Sequence, residues 1–414
     1  MKVHIIGGGI IGLCSAYYLQ KEGAEVTIID KNEWRDGCSF GNAGMITPSH
    51  FIPLAAPGVV AKGIRWMFSD SSPFYIRPRL DMDLLQWLWK FYRSCNKQQV
   101  TRAIPILRDI NWWSRSLYKD LAEQPDLQFG YEQNGLMMLC HSKEALREEI
   151  EHAEKAQELG LEVQILHGAD VRRVEQNIKT SAAGAVYYPG DAHLHPNQLM
   201  QQLQTHLRKQ GVQFISSTTI IGMEQQQGRI RKLHTRKGKE IAVEQVVLAA
   251  GSWSAHLMKS LQRKLLLQDG KGYSMTLQKP QQRPSVPTIL AEAKVAITPM
   301  GTDLRVGGTL EISNLDPSVN MSRLRGILSS LPKYYKDFEL QTPNRQAVWH
   351  GFRPCTPDGM PYIGRTPGVD NLILATGHAM IGLSLGPATG KLVSELLTGQ
   401  APSMDMALFA VDRF

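Results

Sequence analysis

A proline-rich stretch near the C-terminal end carries the side chains best suited to chemistry in this 414-residue chain. The sequence "HGFRPCTPDGMPYIG" places Arg353, Cys355 and Asp358 among three prolines. A guanidinium stays charged at every relevant pH and pairs bidentately with a carboxylate. Because prolines also restrict the loop around it, Arg353 is a candidate for binding the carboxylate of a small ligand. The alternative is that Arg353 only pairs with Asp358 on a turn.

Two histidines, His50 and His378, lie in motif-like loops and are the candidates for proton transfer. For each, a hydrogen-bonded structural role is the alternative. Neither a Ser-His-Asp arrangement nor a metal site has support in the residue spacings, so no metal is expected. The five cysteines are odd in number, far apart and without a CxxC pair. This argues against a disulfide framework and favours a reducing cytoplasm.

The N-terminal glycine pattern predicts a dinucleotide-binding unit. Gly7, Gly9 and Gly12 follow the β-branched stretch 3–6 and begin a helical pattern, after which "AEVTIID" forms a second strand ending in Asp30. Gly7 permits a tight turn, Gly9 lets a pyrophosphate approach the backbone, and Gly12 brings helix and strand close. Asp30 is expected to accept a hydrogen bond from a ribose hydroxyl. The alternative is a glycine-rich turn that binds nothing.

Further glycine-rich segments indicate which dinucleotide binds. The loop "CSFGNAGMITPSH" (38–50) offers small residues and backbone amides to a flat polar ring. Strand-like runs in 246–254 and 371–397 lead into two more glycine-rich turns, the second of which opens a helix. Because glycine-rich backbone at both ends of the chain converges on one ligand, FAD fits better than a nicotinamide dinucleotide.

Charge and hydropathy restrict the partners. The formal net charge is +8, but acidic and basic residues are interleaved, so no nucleic-acid partner is expected. A basic face toward an anionic membrane and a field that attracts carboxylate substrates fit equally well. No apolar run reaches the roughly 18 residues that span a bilayer. Segments 56–68 and 84–93 mix aromatic, aliphatic and basic residues as interfacial segments do. We expect a cytoplasmic protein with peripheral contact on the inner face of a membrane, the alternative being buried helices with snorkelling basic ends.

The overall pattern predicts an α/β protein with an α+β second domain. Helices are predicted at 142–160 and 195–211, and antiparallel strands between residues 268 and 311. A Rossmann-type FAD-binding domain with a parallel sheet is assigned to residues 1–78, 190–256 and 344–414. A substrate-binding domain with an antiparallel sheet and helices is assigned to residues 79–189 and 257–343.

The ordered set of motifs resembles the D-amino-acid oxidase superfamily of FAD-dependent amine oxidoreductases, most closely its bacterial D-amino acid dehydrogenase branch. The motifs are "GGGIIGLCSAYYLQKEGAEVTIID", "SFGNAGMITPSHFIPLAAPGV", "YYPGDAHLHPNQLM", "VVLAAGSWS", "KGYSMTL", "GFRPCTPDGMPYIG" and "GHAMIGLSLGPATGKLVSELL". Together they cover essentially the whole chain.

The resemblance implies a set of site residues. Arg353 would hold the substrate carboxylate, and Tyr273 would donate its hydroxyl to the same group, a core tyrosine being the alternative. The residues implied in FAD binding are Gly7, Gly9, Ile10, Ile11, Gly12, Asp30, Lys31, Ser39, Asn42, Ala43, Gly44, Met45, Ala250, Gly251, Trp253, Arg353, Gly377, His378, Met380, Ile381, Gly382, Leu383 and Ser384.

The resemblance also implies a reaction. A D-amino acid, including cyclic ones such as D-proline or hydroxy-D-proline, would pass a hydride from Cα to flavin N5, and the electrons would go on to a quinone or another carrier. Positioning contributes most of such catalysis, so no strong protein base is required. The alternatives are a glycine- or sarcosine-type oxidase that uses oxygen and a non-catalytic flavin-binding protein.

Three positions depart from the family pattern. Asp30 stands where the family usually carries Glu, and Ala379 stands where close relatives often have a second glycine. Cys355 replaces the uncharged residue usual at that place and is expected to be a small buried filler. The alternative, a covalent link to FAD, is implied by sarcosine-oxidase relatives, in which a cysteine of this region can hold the flavin. Lys271, on the strand face of Tyr273, is expected in solvent.

Overall fold

The structure, a computed structural model, describes residues 1–34, 36–67, 72–336, 338 and 347–414. The strands are β1 (Lys2–Ile6), β2 (Glu25–Ile29), β3 (Met45–Ile46), β4 (Phe74–Ile76), β5 (Leu136–Cys140), β6 (Gln164–His167), β7 (Gly184–Tyr188), β8 (Ala192–His193), β9 (Gln213–Ile215), β10 (Ile220–Gln226), β11 (Arg229–Thr235), β12 (Glu240–Ala242), β13 (Gln245–Leu248), β14 (Gln268–Leu277), β15 (Thr288–Leu290), β16 (Val295–Met300), β17 (Asp303–Ile312), β18 (Trp349–Cys355), β19 (Tyr362–Thr366) and β20 (Val369–Thr376). The helices are α1 (Ile10–Lys21), α2 (Val59–Met67), α3 (Met82–Ser94), α4 (Lys97–Ala122), α5 (Lys143–Glu158), α6 (Pro196–Lys209), α7 (Ser254–Lys259), α8 (Met321–Tyr334) and α9 (Gly386–Thr398).

A six-stranded sheet is built around β1, in the order β19-β20-β13-β1-β2-β9. All its pairings are parallel except the β19–β20 hairpin. Its central strands are rich in β-branched residues, and Ile5 and Ile28 are completely buried, as expected for a sheet covered on both faces. Helices α1 and α9 pack closely at Gly390, where glycine permits the approach. A Cβ at this position would lie only 2.5 Å from the backbone carbon of Cys14. The predicted strand, turn, helix and strand of the N-terminal unit are present.

A larger, mostly antiparallel sheet has the order β18-β14-β17-β16-β15-β5-β7-β6, with β4 added beside β17. The strands predicted in "KGYSMTL", "KVAITPMG" and "DLRVGGTLE" correspond to β14, β16 and β17. A second core lies on this sheet and includes Val306, Leu324 and Leu331. The predicted fold class, a Rossmann-type parallel sheet with an α+β portion, is confirmed.

The two sheets divide the chain differently from the predicted boundaries. Strands β4 and β18 lie in residues assigned to the FAD-binding domain, yet both pair within the larger sheet. The sequence patterns give no register for such short or mixed strands. The division into two domains therefore stays a prediction, and the limits at residues 78 and 344 do not coincide with the sheets.

Local signals placed several helices correctly. The side chain of Ser142 caps α5 by accepting a hydrogen bond from the backbone nitrogen of Ala145, and Gly160 follows the helix with a φ of +80°. Helix α6 begins at Pro196 and buries Leu199 and its neighbours one and two turns on. The hairpin predicted around "TRKGKE" joins β11 to β12.

The two segments with interfacial composition form α2 and α3. Helix α3 buries Leu84 and Trp87 and exposes an apolar face on its other side. Among the helices that the structure describes, none combines the length and apolarity that a membrane span requires.

Candidate active site

A cavity of about 1120 Å³ lies between the two sheets and is lined by residues of both. The carboxyl ends of β1, β2, β13 and β20 open into it, as is usual for ligand sites of open parallel sheets. Ordinary small-ligand sites occupy roughly 300–1,000 Å³. The cavity therefore has room for a dinucleotide and a small substrate together.

The three glycines of the β1–α1 turn serve two different purposes. A Cβ on Gly7, whose φ is +110°, would overlap the carbonyl oxygen of Ala249, and a Cβ on Gly12 would overlap the carbonyl oxygen of Gly7. In the part of the chain that the structure describes, a Cβ on Gly9 would meet the Oγ of Ser39, at 3.5 Å, and, its chain neighbours aside, no other atom within 4 Å. Gly7 and Gly12 thus serve the packing of the turn, whereas the backbone at Gly9 is open toward the cavity.

Polar groups surround the start of α1. Gly9 is its N-cap and supplies no side-chain cap, and Ser39 Oγ accepts a hydrogen bond from the backbone nitrogen of Ile10 at 3.0 Å. Asp30 accepts from the backbone nitrogens of Gly8, at 2.7 Å, and Asn32, at 2.8 Å. A helix N-terminus favours an anion such as a pyrophosphate. The carboxylate of Asp30 lies at the end of β2, where a ribose hydroxyl is expected.

The small-residue loop after β2 is held by a buried arginine that the sequence did not reveal. Nη1 of Arg305 donates to the carbonyl oxygens of Phe40 and Asn42, both at 2.8 Å. Asn42 Oδ1 in turn accepts from the backbone nitrogen of Gly44 at 2.9 Å. Burial lowers the pKa of Arg305 to about 10, so it remains charged. Because Arg305 lies far along the chain on β17, only the three-dimensional pairing shows its role.

Two more turns present open backbone to the cavity. Among the described residues, apart from the chain neighbours of Gly251, no atom lies within 4 Å of a Cβ built on this glycine, whose φ is +53°. A Cβ on Gly382 would meet only the Cβ of His378, at 3.3 Å. Trp253, just after the first turn, has its ring 3.1 Å from the Nζ of Lys31. Glycine positions at which a side chain would fill empty space therefore lie along the cavity wall, and these residues fit FAD.

Twenty of the residues predicted to bind FAD line the cavity. Three, namely Gly12, Gly44 and Gly377, do not line the cavity, and cofactor contact at these positions stays a prediction. A Cβ on Gly12 or Gly44 would overlap a backbone oxygen, and one on Gly377 would lie 2.7 Å from Thr356. Close packing against other atoms of the protein requires glycine at these three positions. A sequence pattern does not distinguish this requirement from contact with a ligand. The others that line the cavity are Gly7, Gly9, Ile10, Ile11, Asp30, Lys31, Ser39, Asn42, Ala43, Met45, Ala250, Gly251, Trp253, Arg353, His378, Met380, Ile381, Gly382, Leu383 and Ser384.

Arg353 lies on β18 and its side chain lines the cavity. Its Nη1 donates to the carbonyl oxygen of Thr309 at 2.6 Å. The predicted alternative partner, Asp358, is instead paired with Arg413, whose Nε lies 2.7 Å from Oδ2. No ion pair with a carboxylate joins Arg353 to any residue in the described ranges. Burial lowers the pKa of Arg353 but leaves a cation with no carboxylate partner in that part of the chain.

A glycine makes room for this guanidinium. A Cβ on Gly272, in the neighbouring strand β14, would overlap both Nη1 and Nη2 of Arg353. Thr309, which supplies the carbonyl, has a φ of +70° at an irregularity in the β14–β17 pairing. The side chain of Arg353 is therefore positioned by two features of adjacent strands.

Tyr273 is fully buried and its hydroxyl is already bonded within the protein. It donates to Glu311 Oε2 at 2.9 Å and accepts from the backbone nitrogen of Asn320 at 3.1 Å. Burial raises the pKa of this phenol. The tyrosine lines the cavity, but these bonds correspond to the core role that was the alternative at this position.

Lys271 is not in solvent, so that expectation is wrong. Its side chain is completely buried, and Nζ donates to the carbonyl oxygens of Asp316, at 3.1 Å, and Ser318, at 2.7 Å. The same nitrogen lies 3.7 Å from Oε1 of Glu311. A buried ammonium is tolerated when carbonyls and a carboxylate replace its water, and these partners come from distant segments.

The two candidate histidines differ in their surroundings. His378 is buried and its Nε2 lies 3.0 Å from the Oγ1 of Thr389 on α9. Burial lowers its pKa to about 3. Nδ1 of His50 lies 3.1 Å from Ser49 Oγ, and burial lowers the pKa of His50 to about 4. Both rings line the cavity and are neutral at pH 7. Their part in catalysis stays a prediction.

The two cysteines near Arg353 have different positions. Cys355 is completely buried, does not line the cavity, and donates to the carbonyl oxygen of Arg353 at 3.4 Å. Burial raises its pKa to about 12, which disfavours a reactive thiolate. Cys38 does line the cavity, and its Sγ accepts from the backbone nitrogen of Phe352 at 3.2 Å. The contacts of Cys355 match a small filler in the core.

Comparison with known proteins gives the family of the chain. A family model described as FAD dependent oxidoreductase (DAO) matches residues 2–396. A protein of Helicobacter pylori named D-amino acid dehydrogenase is 30% identical over 413 residues, covering 99% of this chain and 98% of that protein. One of the same name from Bradyrhizobium diazoefficiens is 32% identical over 425 residues, covering 100% and 99%.

Among solved structures, glycine oxidase from Geobacillus kaustophilus superimposes with a TM-score of 0.79 at 25% identity, covering 100% of this chain and 98% of that one. The matched length, the identity and the fold agree with one another. The chain belongs to the DAO family of FAD-dependent oxidoreductases.

Proposed function

We propose that this protein is a dehydrogenase of D-amino acids that uses bound FAD. The names of its relatives in Helicobacter pylori and Bradyrhizobium diazoefficiens, which match over nearly the full length of each chain, support this substrate class. The cavity and the open glycine backbone along its wall support binding of the cofactor.

The observation that carries the proposal is the guanidinium of Arg353, which forms no ion pair with a carboxylate of the residues that the structure describes. A buried cation without a counter-charge binds an anion strongly, and a planar fork suits a carboxylate. Its Nη1 is partly used by Thr309, so the remaining N–H groups are available to the substrate. Fixing the carboxylate at one point restricts the orientation in which the rest of an amino acid lies in the cavity.

FAD, when bound, supplies the two-electron oxidation of the substrate. The protein's residues contribute binding, orientation and exclusion of water. Two aromatic residues on the same strand as Arg353 line the cavity, Trp349 and Phe352. The ring of Trp349 packs over Gly41 and Gly351. These apolar walls remove water from around the bound molecule, which strengthens its ion pair with Arg353.

The same walls favour a compact apolar side chain on the substrate. Leu310 lies beside Thr309 on β17, and Phe74 is its partner in the sheet; both line the cavity. We therefore extend the proposal to D-amino acids with small apolar or cyclic side chains, with D-proline and hydroxy-D-proline as cyclic candidates.

The electron acceptor is proposed to be a quinone or another carrier. An oxygen-using oxidase is the second candidate, and its support is the structural similarity to a glycine oxidase. Turnover under air with an assay for hydrogen peroxide separates the two, because an oxidase forms one peroxide for each substrate oxidised. Stoichiometric peroxide would reject the dehydrogenase.

Peripheral membrane contact is proposed for the outer face of α3. Trp89 and Tyr92 stack on each other, are 59% and 61% exposed, and continue a stripe formed by Met82 and Leu85. Arg93 lies against Trp89 at the same end of the helix. An exposed apolar stripe with basic neighbours suits the surface of an anionic membrane.

The deciding experiment is anaerobic bleaching of the flavin by a panel of D- and L-amino acids and N-methylglycine, with Arg353→Ala beside the wild type. We expect D-amino acids to bleach the wild type. The variant should keep FAD and show a KM raised roughly 10- to 100-fold, since a hydrogen bond to a charged group contributes about 1.5–3 kcal/mol.

Arg365→Ala serves as the control, because Arg365 is an exposed arginine on β19. Unchanged kinetics in Arg353→Ala would remove Arg353 from the site. Flavin that no amino acid bleaches would indicate a non-catalytic flavin-binding protein.

A further inference from the structure

A chain of polar side chains leaves the main cavity at His50. Asp191, which is only 1% exposed, lies between β7 and β8. Its Oδ2 accepts from the Oγ of Ser49 at 2.5 Å, and its Oδ1 accepts from the backbone nitrogen of Ser49 at 3.1 Å. The same hydroxyl lies 3.1 Å from Nδ1 of His50. The three side chains therefore form one continuous hydrogen-bonded series.

The antiparallel ribbon of β3 and β8 brings the two segments together. Met45 pairs with His193, and Ile46 pairs with Ala192. Ser49 follows the first strand of the ribbon and Asp191 directly precedes the second. Their contact is thus set by backbone pairing and not by a loose approach of two loops.

Asp191 also lines a second cavity, of about 270 Å³. Trp112, which is 42% exposed, and Glu162 lie on its wall. Arg115 stacks on Trp112 with its guanidinium 4.1 Å from the ring centroid and donates to the carbonyl oxygen of Gly190. The series beginning at His50 therefore ends at a second cavity, whose wall carries the charged side chains of Arg115 and Glu162.

The hydrogens available to His50, Ser49 and Asp191 allow two hydrogen-bonding arrangements of these side chains. A serine hydroxyl has one hydrogen to donate. When Asp191 is ionised, Ser49 donates to it, so Nδ1 of His50 must be the donor to Ser49 and Nε2 carries a lone pair. When Asp191 is protonated, it donates to Ser49, Ser49 donates to Nδ1, and the hydrogen of His50 is on Nε2. Nε2 has no hydrogen-bond partner among the residues that the structure describes.

We propose that His50, Ser49 and Asp191 form a proton relay between the cavity of amino acid oxidation and the surface. This rests on the proposed function, because an amino acid arrives as an ammonium ion and must lose a proton before it is oxidised. The proton binds to Nε2 of His50, the proton of Nδ1 moves to Ser49 Oγ, and the hydroxyl proton of Ser49 moves to Asp191 Oδ2. Three protons shift by one bond each, and the carboxylate becomes a carboxylic acid.

The surroundings favour storage of the proton on Asp191. Burial raises the pKa of Asp191 to about 7, while burial lowers that of His50 to about 4. His50 therefore passes the proton on without holding a charge. The ionisable groups that face the relay are Arg115 on α4, Tyr187 and Tyr188 on β7, Glu149 and His152 on α5, and Lys294 between β15 and β16.

The test follows the His50 tautomer by ring-nitrogen NMR of FAD-loaded protein without substrate, with His50→Gln used to assign the signals. Between about pH 5.5 and about pH 8.5 the two nitrogens should exchange their protonated and unprotonated resonance positions. The exchange should be lost in Ser49→Ala and retained in Ser49→Thr, which keeps the hydroxyl. Asp191→Asn should hold His50 in one tautomer.

A single tautomer throughout this range in the wild type, or an unaltered exchange in Ser49→Ala, overturns the relay. If Ser49→Ala does not fold, Asp191→Asn decides, since a pH-dependent exchange in that variant equally rejects the proposal. In kinetics, the pH dependence of flavin bleaching should lose its ionisation near neutrality in Ser49→Ala and regain it in Ser49→Thr. The NMR readout needs no turnover, so flavin that no amino acid bleaches would reject the proposed function alone.

Discussion

At the scale of single residues, the position of Arg353 depends on a neighbour that has no side chain. Gly272 on β14 leaves the volume that both Nη atoms of Arg353 occupy, and Thr309 on β17 supplies the carbonyl that holds one of them. An arginine has many rotamers. A steric limit on one side and a hydrogen bond on the other select one of them before any substrate arrives.

Gly272→Ala should therefore weaken substrate binding without removing FAD. The added methyl group would displace the guanidinium, and we expect KM to rise about tenfold, which corresponds to about 1.4 kcal/mol. Steady-state kinetics and the flavin absorbance of the purified protein measure the two effects. Gly364→Ala is the matched control, since a Cβ there would meet only Val411, at 3.8 Å. Equal KM values in both variants would mean that the guanidinium does not depend on this space.

The residue type was enough to predict a binding role for Arg353, but it did not predict the hydrogen-bond partners of Lys271 and Tyr273. Arg353 could be singled out because a charged group among prolines suggests a fixed binding function. Lys271 could not be placed, because lysine is normally solvated and its partners Asp316, Ser318 and Glu311 lie some 40 residues away in sequence. The hydrogen bonds of the Tyr273 hydroxyl with Glu311 and Asn320 could not be predicted for the same reason.

At the scale of elements, the β1–α1 turn separates folding from cofactor binding. Gly7 has a positive φ and touches Ala249, whereas the backbone at Gly9 borders the cavity. Gly9→Val should give a folded protein that lacks FAD, because its side chain would occupy space needed by the pyrophosphate. Flavin absorbance after purification and circular dichroism provide the measurements.

Gly7→Ala provides the contrast at the same turn. A non-glycine residue at this backbone conformation costs about 1–3 kcal/mol, and its Cβ also overlaps a carbonyl oxygen. With FAD removed from both proteins, so that loss of the bound cofactor does not itself lower stability, we expect the free energy of unfolding to fall more in Gly7→Ala than in Gly9→Val. A fully yellow Gly9→Val protein would contradict the assignment of the turn to the dinucleotide.

The elements themselves were largely predictable where a strong local signal exists. The capped helix α5 and the glycine-rich turns carry such signals in a few adjacent residues. Strands β4 and β18 do not, because their place beside β17 and β14 is fixed by partners far away in the chain. This is why the predicted domain limits differ from the sheets.

At the scale of the whole molecule, a buried acid makes stability depend on pH. Burial raises the pKa of Asp269 from 3.8 to about 6. Since the folded state holds this proton more tightly than the unfolded chain, the contribution is favourable at low pH and is lost as pH rises from about 4 to about 6. The loss is of the order of 3 kcal/mol.

Asp269→Asn removes this ionisation, so its free energy of unfolding relative to the wild type should increase between about pH 4 and about pH 7. Denaturant unfolding at both values measures the change. Asp412→Asn, at an exposed position, should show no such trend. A difference between Asp269→Asn and wild type that is the same at both pH values would show that Asp269 is not held in its protonated form.

The proposed membrane contact is tested by sedimentation with vesicles that contain anionic lipid. Trp89→Ser should reduce binding roughly tenfold, because transfer of a large apolar side chain from water contributes at least about 1.5 kcal/mol. Ile221→Ser is the control, as Ile221 is 53% exposed on β10, outside α3. Equal loss in both variants, or no binding by the wild type, would reject contact through α3.

The path of the chain between the two sheets has a consequence for how this protein can be divided. It passes from the six-stranded sheet to the larger one after β2, returns before β9, leaves again after β13 and returns before β19. A cut at any single point between β4 and β18 therefore leaves both sheets without some of their strands. Neither half of such a cut could serve as a transferable module, and recombination between relatives would have to exchange segments in matched pairs to keep both sheets whole.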